Sequence, residues 1–128
     1  MSKPVLVQSA GLDRTLPEDT NAESLVEQLP AGLTWWLSLN DAGHFTYSDL
    51  CVLDVAAIDA ALEIDASNTL TDGCGVENIA TELAFPAIRT SGIGFFNAEL
   101  RGSPASMQFL SQEALDAVAP DVGTFAAK

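Results

Sequence analysis

The chain has 128 residues, 48% of them hydrophobic and only 18% charged, with a formal net charge of -13. That length suits one domain, and the apolar content excludes a disordered acidic tail, which lacks the side chains to build a core. The charge disfavours direct contact with nucleic acid or an acidic membrane: 74 consecutive residues between Arg14 and Arg89 hold thirteen carboxylates and no lysine or arginine.

Val5 and Val7 alternate with Leu6, which predicts a short strand or an extended arm ending at Gly11. Residues 1–17 are read as an extended N-terminal arm, and residues 18–128 as a single compact α+β domain. Met1 to Pro4 lacks a signal-peptide pattern, so use without Sec-type export is expected. In Arg14-Thr15-Leu16-Pro17 the proline pushes its predecessor towards extended geometry, and Glu18, Asp19 and Thr20 then form a turn. Asp19 or Thr20 caps a short helix through Glu23, Leu25, Val26 and Leu29 that Pro30 stops, with a strand as the alternative for so short a run.

Leu33 to Leu39 is the clearest strand. Leu33, Trp35, Leu37 and Leu39 share one face, and Thr34, Trp36 and Ser38 the other. Asn40-Asp41-Ala42-Gly43 has turn composition and His44 to Tyr47 resumes the alternation, which predicts a β-hairpin continuing to Leu53. Asp54 is a helix cap, with Val55, Ile58, Ala61 and Leu62 on one side of the helix that follows.

Ser67 to Gly75 reads as a loop, and Val76 to Leu83 as a short helix ending before Pro86. Ile93 to Leu100 alternates with apolar residues on both faces, which predicts an interior strand or one covered by a subunit. Met107 to Leu110 reads as a further short strand. Ser111 caps a final helix to about Val118, with Leu110 and Leu115 spaced as a hydrophobic staple. The expected fold is α+β, with a small antiparallel sheet including a hairpin near residues 33–53 and two or three short helices.

Chemistry-bearing constellations are sparse. A single histidine, His44, excludes multi-histidine metal sites. Cys51 and Cys74 lack Cys-x-x-Cys spacing and are read as small buried thiols, with a bridge between them left open. Cys74 has acidic neighbours and no nearby base, which argues against a nucleophile. Asp65-x-Ser67-x-Thr69 imitates a calcium loop, but Leu70 and Val76 stand where glycine and glutamate are required. Asp59 and Glu63 read as a solvated helix edge, and Gly92-x-Gly94 lacks the rest of a phosphate cradle. No catalytic residue, cofactor or metal is assigned, and a non-enzyme is expected. Alternation sends Trp35 and Trp36 to opposite faces, so one of them must meet something besides the core, such as a neighbouring subunit.

Residues 8–25 resemble a segment near the start of tailed-phage virion proteins such as tail-fibre, collar and capsid-decoration components. Arg14-Thr15-Leu16-Pro17 and Asp19-Thr20 carry the match. The resemblance implies a non-catalytic structural protein of a virion, a homo-oligomer held by contacts with other virion subunits. The contact residues expected on this view are Arg14, Leu16, Pro17, Trp35 and Trp36. The alternative is an acidic inhibitor, an immunity or anti-defence protein whose carboxylates imitate nucleic-acid charge and block a basic target.

Overall fold

The computed structural model describes residues 3–63 and 65–128, apart from the side chains of residues 66 and 67. The fold is α+β. Three strands, β1 (Val5–Ala10), β2 (Thr34–Leu39) and β3 (Gly123–Ala127), form one sheet in the order β1-β2-β3. β1 and β2 run parallel with Ser9 beside Ser38, and β2 and β3 run antiparallel with Phe125 beside Leu37. Parallel neighbours need a crossover. Here it contains α1 (Ala22–Gln28), which ends just before Pro30.

The sheet is mixed rather than the small antiparallel one expected. Its first strand lies in the segment read as a short strand or an extended arm, and takes the strand alternative. No hairpin forms near residues 33–53, because β2 takes its partners from the two ends of the chain. The turn after β2 leads instead into 3-10 turns at His44–Tyr47 and Asp49–Val52. A local cause is visible: Thr46 Oγ1 accepts from the Gly43 amide at 2.9 Å and donates to the Gly73 carbonyl at 3.0 Å. That hydroxyl tightens the turn and faces it towards a distant segment instead of a strand.

That segment is α3 (Ala66–Cys74), where a loop was expected, kinked at Asp72 and Gly73 and preceded by α2 (Val55–Leu62). Asp54 caps α2 by accepting from the Ala57 amide, as its position before the apolar run suggested. Gly73 has φ of 128°, and a Cβ there would lie 2.6 Å from the backbone nitrogens of Phe45 and Thr46. Only glycine lets the two backbones meet. Cys51 and Cys74, read as small buried thiols with a bridge left open, are bonded to each other as a disulfide at this junction.

The largest correction is α4 (Thr81–Arg101), a continuous helix through the segments expected to be a short helix, a proline stop and a strand. Pro86 is its sixth residue, so one intrahelical hydrogen bond is lost while the rest continue. Ala84, Ala87, Ser91, Gly94 and Phe95 make its buried side, a helical stripe. A Cβ on Gly94 would lie 2.8 Å from the Phe109 Cβ, so glycine allows the 3-10 segment Pro104–Phe109 to press on the helix. That segment is another expected strand that coils. Ser111 caps α5 (Gln112–Val118) through the Ala114 amide, and Leu110 and Leu115 are both buried as a staple requires.

The core lies between α4, α5 and one face of the sheet. Trp35, Leu37, Leu39 and Phe125 point into it, and Trp35 meets Phe95 edge to face with centroids 5.8 Å apart. Gln8 ties β1 to α4 by donating to the Ile88 carbonyl and the Ser91 hydroxyl. On the other face the Lys128 ammonium donates to the Val26 and Glu27 carbonyls at the end of α1, a favourable place for a cation. No helix of the described residues is long and apolar enough to cross a membrane.

Candidate functional site

Two surfaces stand out, one polar and one apolar. The polar one is a cleft of about 440 Å³ beside β1, lined among others by Ser9, Asp13, Leu16, Glu18, His44 and Tyr47. Its organising group is Glu18. The register that sets Ser9 beside Ser38 lets both hydroxyls donate to Glu18 Oε1, the Ser38 bond measuring 2.6 Å. Trp36 Nε1 donates to Ser9 Oγ at 2.7 Å. The Tyr47 hydroxyl donates to the Ser9 carbonyl, and burial together with the nearby Glu18 charge raises its pKa above the usual phenol value. Tyr47 is therefore a fixed donor at neutral pH.

His44 Nδ1 lies 3.1 Å from Asp13 Oδ2 on the same wall. The sequence marks His44 only as the single histidine; its partner is 31 positions away and carries no spacing signal. A carboxylate-oriented imidazole is a familiar element of general-base sites, and Ser9 is the hydroxyl in the same cleft. Yet Ser9 Oγ already donates to Glu18 and accepts from Trp36, so its hydrogen bonds go to joining strands. Among the described residues no group of three or more His, Cys, Asp or Glu side chains is arranged to hold a metal ion. Ser67, part of the calcium-like run, has its side chain outside the described residues.

Below the cleft, Asp72 binds three segments together. Its carboxylate accepts from the backbone amides of Arg14, Thr15 and His44 and from the Thr15 hydroxyl. Burial alone would raise its pKa, but the hydrogen bonds from His44, Thr15 and Arg14 and the Arg14 charge outweigh it and hold the pKa below the usual value. The Arg14 guanidinium lies 3.9 Å from Asp72 and 4.0 Å from Glu77. Arg14 and Thr15 thus fasten the chain to its own α3. Leu16 and Pro17 are exposed at the rim of that junction.

The expected contact residues therefore separate. Trp35 is buried in the core, which corrects its reading as a contact candidate. Trp36 is half-buried on the opposite face and tied to Ser9. With Trp35 in the core, the structure does not bring the two tryptophans onto one surface.

The apolar surface is the outer side of α4. Ile93, Phe96 and Leu100 are 60%, 58% and 77% exposed, and their spacing of three and four places them on one stripe. A groove of about 240 Å³ beside the stripe is lined by Arg89, Thr90, Ile93, Gly94, Asn97 and Phe109. Phe109 and Met107 are also exposed, which widens the apolar area. An exposed apolar patch of this kind on a folded domain marks a contact surface more often than a catalytic one. Its signal in the sequence was the apolar surplus on both apparent faces of residues 93–100. Read at period 3.6 instead of 2, that surplus falls into one buried stripe and one exposed stripe.

No family model, no curated protein and no solved structure matches this chain.

Proposed function

We propose that this chain is a non-catalytic structural protein that acts through subunit contacts, as a decoration, collar or fibre component of a phage virion. The observation that carries the contact reading is the row Ile93, Phe96 and Leu100, exposed on a helix whose opposite side is anchored in the core. Burying such a row removes apolar surface from water at about 25 cal/mol per Å². The disulfide between Cys51 and Cys74 also supports a working place outside a reducing cytoplasm, which virions reach on release. The virion assignment itself rests on the resemblance of residues 8–25.

In this reading the polar cleft is architecture: Glu18, Ser9, Ser38 and Trp36 lock β1 to β2. Association is with other virion subunits, and no nucleic acid, membrane or cofactor takes part. Mass spectrometry of purified particles is the test. The chain should be found there in several copies relative to the other virion proteins, and its confinement to the unassembled soluble fraction contradicts the assignment.

The acidic-inhibitor reading draws on a different observation. The segment from Asp49 to Glu82 holds eight carboxylates and no lysine or arginine, and most of them are exposed. An inhibitor of that kind binds a basic target with an affinity that collapses between low and high salt, whereas an apolar contact persists.

A further inference from the structure

The contact reading leaves the occupant of the α4 stripe open, and the inference below rests on that reading. We propose that the occupant is a second copy of this chain, with the two α4 helices docked antiparallel about a twofold axis between Ile93 and Phe96.

Three observations support this partner. First, Arg89, Ile93, Phe96 and Leu100 follow a four-three-four spacing, the seam of a helix pair, along a continuous 21-residue helix. Second, α4 is electrically neutral in a chain of net charge -13: it holds Glu82 and Glu99 against Arg89 and Arg101. Two copies repel each other through their excess carboxylates, and this helix adds no net charge to that repulsion. Third, Arg89 lies over the Phe85 ring at 5.1 Å and has no carboxylate in ion-pair range among the described residues.

The antiparallel arrangement satisfies all three. It sets each Phe96 opposite Ile93 of the other copy, above the groove bordered by Ile93 and Phe109, so each ring fills the partner's groove. Leu100 meets the aliphatic stem of Arg89, and the guanidinium comes beside Glu99 of the second copy. A parallel arrangement would place Arg89 against Arg89 and Glu99 against Glu99. The antiparallel interface is isologous, so each favourable contact occurs twice.

The test is light scattering coupled to size exclusion on the full, oxidised chain over a range of concentrations. Wild type should approach twice the monomer mass, and Phe96→Glu should remain monomeric, with a circular-dichroism melt that matches wild type at concentrations where wild type is itself monomeric. Arg89→Glu should weaken dimerisation by about tenfold, and Arg89→Glu with Glu99→Arg should restore most of it. If Phe96→Glu still dimerises, or the double exchange restores nothing, this docking is wrong while association through another surface stands. If wild type is monomeric in isolation yet present in purified particles, the stripe takes a different protein and the self-pairing is overturned. A monomer absent from particles overturns the contact reading as well.

Discussion

Phe95 and Phe96 are consecutive and touch edge to face with centroids 5.6 Å apart, yet the first is buried against Trp35 and the second is more than half exposed. The boundary between core and exposed apolar surface therefore runs between two adjacent side chains of α4. Phe95→Ala should cost about 3–5 kcal/mol, since it opens a cavity beneath Trp35. Phe96→Ala should change the stability of the monomer by less than about 1 kcal/mol, because it removes surface that the isolated fold does not bury. Urea unfolding of both variants at low protein concentration gives the comparison; equal losses would remove the distinction.

The disulfide joins Cys51 and Cys74, 23 positions apart, and encloses α2 and most of α3. In the chain-entropy account, closing a loop of that length stabilises the fold by about 3 kcal/mol. Reduction, or replacement of both cysteines by serine, should lower the urea midpoint accordingly and first loosen the contact between residues 43–46 and Gly73. Hydrogen exchange resolves this. Amides of Phe45 and Thr46 should lose protection before those of β2.

Asp72 predicts a pH dependence. Its pKa is lower in the folded protein than in the unfolded chain, so the folded state binds fewer protons and Asp72 contributes stability above the ordinary aspartate pKa. That contribution is lost as pH falls from about 4 through the depressed folded value. Asp72→Asn should cost about 2–4 kcal/mol at neutral pH, because the amide cannot accept all the bonds from Arg14, Thr15 and His44. The variant should also show a flatter loss of stability on acidification than wild type, read from denaturation at a series of pH values. A parallel pair of curves would show that the carboxylate charge is not what matters.

What the sequence disclosed was mainly local. The alternation of residues 33–39 marks β2, Pro30 stops α1, and Asp54 and Ser111 are helix caps with the amide partners that cap chemistry requires. The failures were non-local or came from a misleading period. Pairing of β1 with β2, and of β2 with β3 at the far end of the chain, leaves no trace in the spacing of residues 33–53, so a hairpin was the natural but wrong reading. Gly92, Gly94 and an apparent period of two disguised the second half of α4 as a strand.

The same distinction applies to the sites. The exposed apolar stripe was present in the sequence as apolar residues without an obvious face, and it became legible only at the helical period. Asp13 beside His44 and Ser9 beside Glu18 depend on segments that meet through tertiary structure. The opposite faces of Trp35 and Trp36 followed from alternation, but which face was the core depended on where α4 packs.

Sedimentation velocity on the oxidised wild-type chain, from low micromolar to near-millimolar concentration and repeated in high salt, tests the central claim most directly. A molecule that works by contact through the Ile93, Phe96 and Leu100 stripe should show a reversible shift from monomer to dimer that high salt strengthens, because screening reduces the repulsion between two acidic copies. A single monomeric species at every concentration and salt level, with no association when the rest of the particle is added, would contradict it.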